Sequence, residues 1–233
     1  MAEVSGRKLH RLSDVEDWIR VAVHHAATTL TVVADAITVR EPGMLETIQA
    51  SARDLRAGSR QADTALIRMT SDSVAQRDDP RIPLALMQVA QHQGLIANQF
   101  ELIAEQLAEI DQDVLDSQRT GQKLAQMAKL AGVQLLDALA AFTARDVAAA
   151  EQTEREDDAV DRLNREVFQA TLDLDGGRAQ RELAYRHVLI ARSLERIADN
   201  AVDIAEQTAF LQTAEPRQFT DASTPHKRLT GEV

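Results

Sequence analysis

The stretch from Leu183 to Leu211, LAYRHVLIARSLERIADNAVDIAEQTAFL, decides how the rest of the chain is read. Leu183, His187, Ile190, Leu194, Ile197, Ala201, Ile204, Thr208 and Leu211 recur at alternating steps of four and three residues. A helix with that spacing buries one stripe against neighbouring helices, so the segment is predicted to be a bundle helix with this stripe as its seam. His187 and Thr208 are the polar members of the stripe, and His187 is expected to be a satisfied core or boundary histidine.

Outward from this helix the same periodicity runs through most of the 233 residues, broken at Gly, Pro or short polar clusters. Six helices are predicted. They cover about 9–39 with Ser13 as a capping candidate, 44–76 after Pro42-Gly43, 82–110 after Asp78-Asp79-Pro80, 114–143, 146–174, and 178–211 after Gly176-Gly177. An offset of 101 residues lays Ile103-Ala104-Glu105-Gln106 over Ile204-Ala205-Glu206-Gln207, and Ala90, Ile96, Ala97 and Ala108 over Ala191, Ile197, Ala198 and Ala209. The matches fall in the third and sixth helices, as a duplicated three-helix unit requires. The expected fold is all-α, two tandem three-helix bundles over residues 9–111 and 113–211, with 212–233 as a mobile tail.

Composition agrees. Nine Gly and five Pro are too few for a turn-dense β-sandwich or barrel, and aromatic residues make up 3% of the chain. Without Cys there is no disulfide framework, thiolate nucleophile or thiolate metal site. Lys and Arg number 26 against 37 Asp and Glu, for a net charge of −11, the wrong sign for holding nucleic-acid phosphates. No apolar run approaches the ~18 residues of a membrane span, and the amino terminus has no signal-like stretch, so a cytoplasmic protein is expected.

The negative charge is concentrated. Glu195, Asp199, Asp203 and Glu206 lie at steps of four, four and three on helix six, within about 80° of one face and away from the Leu194/Ile197/Ile204 seam. Helix five carries Glu151, Glu154, Glu156, Asp157, Asp158 and Asp161, with Asp157 and Asp161 again four apart. Outward charges are ordinarily just solvated. Like charges four apart nevertheless repel by about 0.2–0.5 kcal/mol per pair, and the bases inside these clusters are Arg155 and Arg196 alone. A row of hard oxygen donors on adjacent helices is what a cation site needs, and such donors suit Mg, Mn, Ca or Fe without choosing among them. A ferritin-like di-metal enzyme would carry Glu-x-x-His motifs facing the core, and no histidine here has Glu three residues before it. No phosphate loop or nucleophile elbow occurs either, so the motifs argue against an enzyme.

The segment Ala191-Arg192-Ser193-Leu194-Glu195-Arg196-Ile197-Ala198-Asp199-Asn200-Ala201-Val202-Asp203-Ile204-Ala205-Glu206 resembles the signature helix of the PhoU family of phosphate-uptake regulators, roughly Leu-Glu-Arg-Ile-Gly-Asp-His-Ala-x-Asn-Ile-Ala-Glu. Asp157-Asp158-Ala159-Val160-Asp161-Arg162-Leu163-Asn164-Arg165-Glu166-Val167-Phe168 resembles the family's other block. The resemblance covers about residues 9–211 and implies a regulatory adaptor that represses the phosphate-starvation response. It implies partners in the sensor histidine kinase and the phosphate transporter ATPase, which would make the protein peripheral to the membrane through them. It also implies an outer-surface metal ion (Mg, Mn, Fe, Zn or Ca) held by Glu195 with Asp199 and Asp157 with Asp161, to which Asp203 and Glu206 add oxygens. A homodimer is compatible with it.

The first half departs from the family pattern. Under the 101-residue offset Glu195 corresponds to Gly94, Asp199 to Asn98 and Asp203 to Leu102, and only Glu206 keeps its acid, Glu105. One metal surface is therefore expected, in the second bundle. The competing reading is a metal-independent helical accessory protein for another phosphate or anion transporter, the first bundle freed for a new partner. Arg192 and Arg196 are candidate contacts for an acidic partner, His24 and His25 are expected to be exposed or boundary residues, and Trp18 a core or bundle-end residue.

Overall fold

The computed structural model describes residues 9–72, 79–110, 119–172 and 177–215. Six helices lie in them: α1 Leu12–Thr38, α2 Met44–Asp72, α3 Arg81–Ala108, α4 Arg119–Ala144, α5 Val147–Leu172 and α6 Arg178–Thr213. The expected all-α fold holds. Residues 216–233 of the expected tail fall outside the described residues, whereas Gln212 and Thr213 are helical, not tail.

Local chemistry sets the ends. The Asp14 carboxylate, not Ser13, caps α1, accepting from the backbone N–H groups of His10 and Arg11, each at 3.0 Å. Asp146 caps α5, its Oδ1 accepting from the N–H of Ala148 at 3.0 Å and Ala149 at 3.1 Å, so two of the helix's otherwise orphaned donors are satisfied. Ala214 closes α6 in a left-handed conformation with φ 62°, its N–H returning 2.9 Å to the Phe210 carbonyl.

Within each half the three helices pack on one another, and the halves meet where α1 lies on α4 and α3 lies on α6. These inter-bundle seams are as extensive as those inside the bundles, so one apolar core runs through the molecule from Val15 and Trp18 on α1 to Ala209 and Leu211 on α6. Close approach needs small residues. A Cβ added to Gly132 on α4 would sit 3.5 Å from the Ala27 carbonyl oxygen on α1, and one added to Gly58 on α2 would sit 2.6 Å from Trp18 Nε1. Trp18 is thus a core residue, lying against the bare backbone of α2.

All nine members of the predicted α6 seam are buried. His187 departs from expectation in one respect: it is buried, but neither ring nitrogen has a hydrogen-bond partner. Burial lowers its pKa to about 4 and keeps the ring neutral. The stretch Thr120–Ala144 is long and apolar enough to cross a membrane by length and composition, yet 56% of its apolar window is buried against the other helices. Its hydrophobicity is that of a central bundle helix touching α1, α5 and α6.

Candidate functional site

The seam directs the apolar side of α6 inward, which leaves its four carboxylates on the remaining arc. The structure divides that arc. Glu195 is 7% exposed and pairs with the Arg192 guanidinium one turn away on the same helix. Asp199 and Glu206 are partly exposed. Half-exposed Asp203 turns toward the first bundle, its Oδ2 3.5 Å from His92 Nδ1 on α3. The same ring nitrogen lies 2.8 Å from Asn200 Oδ1, and the Asn200 amide donates to the Arg196 carbonyl oxygen at 2.5 Å. Burial pushes the Asp203 carboxyl above its ordinary range, and His92 opposes the shift.

On α5, Asp161 is 4% exposed, with Arg165 Nη1 3.4 Å away. Asp157 is partly buried, and its Oδ1 accepts from Gln134 Nε2 on α4 at 3.0 Å. Gln134 also donates to the Thr153 carbonyl oxygen at 3.2 Å. Glu151 and Glu154 are partly exposed, and Glu156 and Asp158 lie in solvent. The expectation that both carboxylate rows face outward therefore fails at Glu195 and Asp161. The reason is tertiary: α6 packs on α3, α4 and α5 at once, and α5 lies against both α4 and α6, so residues off each helix's seam are still covered. A covered carboxylate needs a compensating donor, and here each has an arginine.

The fit to a cation follows from this donor set. Asp157, Asp161, Glu195 and Asp199 are hard oxygen donors on two helices in contact, which suits a hard cation. Among the described residues, no three His, Asp or Glu side chains stand together as a ready-made cage. Loading would need Arg192 and Arg165, both exposed along most of their length, to swing into water and release Glu195 and Asp161.

In the first bundle the equivalent positions hold an ion pair in place of a row of acids. Arg56 on α2 pairs with Glu101 on α3 through both guanidinium arms, and its Nη2 donates to Asn98 Oδ1 at 2.7 Å. Under the 101-residue offset Arg56 falls on Asp157 and Asn98 on Asp199. A guanidinium fixed to the chain thus occupies the place where the second bundle offers carboxylates.

The remaining candidates are dispersed. Arg196 is exposed with no carboxylate in ion-pair reach among the described residues. Exposed His24 bonds to the Arg20 carbonyl oxygen at 2.8 Å through Nδ1, and half-buried His25 is kept neutral mainly by burial, against the pull of Asp54. Sequence reasoning missed His92, Asn200, Gln134 and Arg56. It also missed Asp137 on α4, whose carboxyl is raised first by partial desolvation and then by the charge of Glu156 on α5. Asn200 stood inside the quoted family block, but its link to His92 requires the antiparallel register of α3 on α6, which no local pattern encodes.

A duplicated three-helix bundle carrying acidic blocks on its fifth and sixth helices defines the class: an all-α protein of tandem bundles. Residues 124–208 match the family model described as the PhoU domain. The chain is 32% identical over 78 residues to the phosphate-specific transport system accessory protein PhoU homolog 1 of Thermotoga maritima, a match that spans 33% of this chain and 34% of that relative. The fold is similar to the phosphate transport system regulatory protein PhoU from Streptococcus pneumoniae, with a TM-score of 0.79 at 20% identity over 89% of this chain and 98% of the other. It is also similar to PhoU from Pseudomonas aeruginosa, with a TM-score of 0.75 at 18% identity over 88% and 98% of the two chains.

Proposed function

We propose that this chain is a non-enzymatic regulatory adaptor that modulates phosphate uptake and restrains phosphate-starvation signalling. The observation that carries the reading is the PhoU domain at residues 124–208, set in a fold that matches two PhoU proteins over nearly their whole length. Its partners are components of the phosphate transporter, the ATPase first, and the sensor histidine kinase that reads transport. In this reading Asp157, Asp161, Glu195 and Asp199 hold a hard divalent or trivalent ion, with Asp203 and Glu206 as neighbouring oxygens. The bound ion would replace the positive charge that Arg192 and Arg165 now bring to Glu195 and Asp161. Deleting the protein and measuring phosphate uptake with starvation-gene output tests the regulatory role. Derepressed output at high phosphate is expected, and unchanged uptake and output would refute it. Metal analysis after mild purification, with Glu195→Ala plus Asp199→Ala as control, tests the ion.

One observation favours a metal-independent adaptor as the second reading: the buried carboxylates already have arginine partners and no three acids form a cage among the described residues. Protein that stays metal-free and melts at the same temperature with and without millimolar Mg²⁺ or Mn²⁺ would establish it.

A further inference from the structure

α2 and α5 hold equivalent places in the two halves of the duplicated fold and carry opposite charge. Under the 101-residue offset Arg53 falls on Glu154, Asp54 on Arg155, Arg56 on Asp157 and Arg60 on Asp161. Every charged residue between positions 53 and 60 is thus reversed in sign. The offset is structural as well as sequential: Ala52, Ser59, Ala62 and Leu66 are buried in the first bundle, and their counterparts Thr153, Val160, Leu163 and Val167 are buried in the second.

Arg53 and Arg60 are seven residues apart and lie within about 20° of one another on α2. Both are exposed, with no ion-pair partner among the described residues. The acids between positions 47 and 71 are Asp54, whose charge acts on His25 of α1, and Asp63, whose carboxyl is pushed up by burial. Each stands at least about 60° off the arginine line. On α5, Glu151 and Asp158 are also seven apart and within about 20°, Asp158 exposed and Glu151 partly so. The single base between positions 147 and 161 is Arg155.

The bundles join through α1 on α4 and α3 on α6, so α2 and α5 flank the molecule on opposite sides and face away from each other. They are antiparallel, because α2 runs against α1, α1 against α4 and α4 against α5. A second copy in the same orientation, displaced by one molecular width, lays its α5 antiparallel along α2. Arg53 can then stand level with Asp158 of the second copy and Arg60 level with its Glu151, since both pairs span the same seven residues, about 10.5 Å of helix.

We infer that copies of this chain associate head to tail, the arginine line of α2 on one copy seated on the carboxylates of α5 on the next. The chain itself contains the complement of its arginines in sign, spacing and direction, which selects a second copy over other acidic surfaces. The net charge of −11 does not prevent the contact, because charges more than about 8 Å apart are screened at physiological salt while the facing pairs touch. One arginine face and one acidic face stay open at the ends of such an assembly, so copies add in series.

Sedimentation velocity of the full chain at about 150 mM and about 1 M NaCl tests it. The average mass should rise with protein concentration at the lower salt and return to that of a monomer at the higher. Arg53→Ala plus Arg60→Ala, and separately Glu151→Gln plus Asp158→Asn, should each associate at least tenfold more weakly than the parent. Mixed in equal amounts, the two variants should form dimers that grow no further, since each keeps one working face; such dimers also require both variants to be folded. A parent that stays monomeric would overturn the inference, as would association that persists in either variant or at 1 M NaCl. So would a mixture that stays monomeric although both variants melt like the parent. Because the chain has no Cys, Ala57→Cys together with Arg155→Cys reports the same contact in the native cells. A permeant bismaleimide should join copies of this chain through those two positions, and adducts to another protein in place of a second copy would overturn the inference.

Discussion

His187 makes a large part of the acid sensitivity traceable to one residue. Its imidazole is buried in the second bundle with no partner on either nitrogen, and burial lowers its pKa from 6.5 to about 4. The unfolded chain therefore takes up a proton before the folded chain does, so stability is complete above about pH 6.5 and is lost as pH falls toward 4. The full loss is about 3 kcal/mol for a shift of this size, of which about 2 kcal/mol arrives between pH 7 and pH 5. For a chain of this length that corresponds to a fall of about 4–8 °C in melting temperature. The remedy is present in the chain, since the 101-residue offset places His187 on Leu86, which is fully buried in the first bundle. His187→Leu should raise stability at pH 7 by about 1–3 kcal/mol, because two partnerless polar atoms leave the core. It should also reduce the loss between pH 7 and pH 5, leaving the part contributed by half-buried His25. Differential scanning calorimetry of both proteins at pH 7, 6 and 5 reads the two effects separately. Equal falls in melting temperature for parent and variant would refute the burial argument, whatever the variant does at pH 7.

Other consequences follow from the packing. Gly58→Ala places a Cβ 2.6 Å from Trp18 Nε1 and should destabilise by about 1–3 kcal/mol, seen as a lower urea midpoint; an unchanged midpoint would mean α2 does not lie this close to the indole. Asp146→Ala removes the cap of α5 and should cost about 1 kcal/mol, with Asp146→Asn losing only part of it. Arg56→Ala should cost only about 1 kcal/mol, because the pair with Glu101 is about one-third exposed, and it should leave any metal content unchanged. A rise in bound metal on that substitution would show that the first bundle retains a cation site beneath the guanidinium.

The sequence by itself determined the helical class, the number of helices and the buried seam of α6. The reason is that a bundle helix advertises its buried stripe every 3.6 residues, and Leu183 through Leu211 obey that rule without exception. It also placed α5 close to its true start, because Asp146 is a local cap. At the carboxylates periodicity was not enough. An angular count puts Glu195 and Asp161 on outward arcs, but exposure depends on what packs around a helix: α6 has three neighbours, and α5 is covered by α4 and α6. The same limit hid the shared core, the Arg56 to Glu101 clamp and the His92 to Asn200 contact, which join residues 45 and 108 positions apart. Local spacing fixes which way a side chain leaves its own helix; only the tertiary arrangement of α1 on α4 and α3 on α6 decides what it meets there.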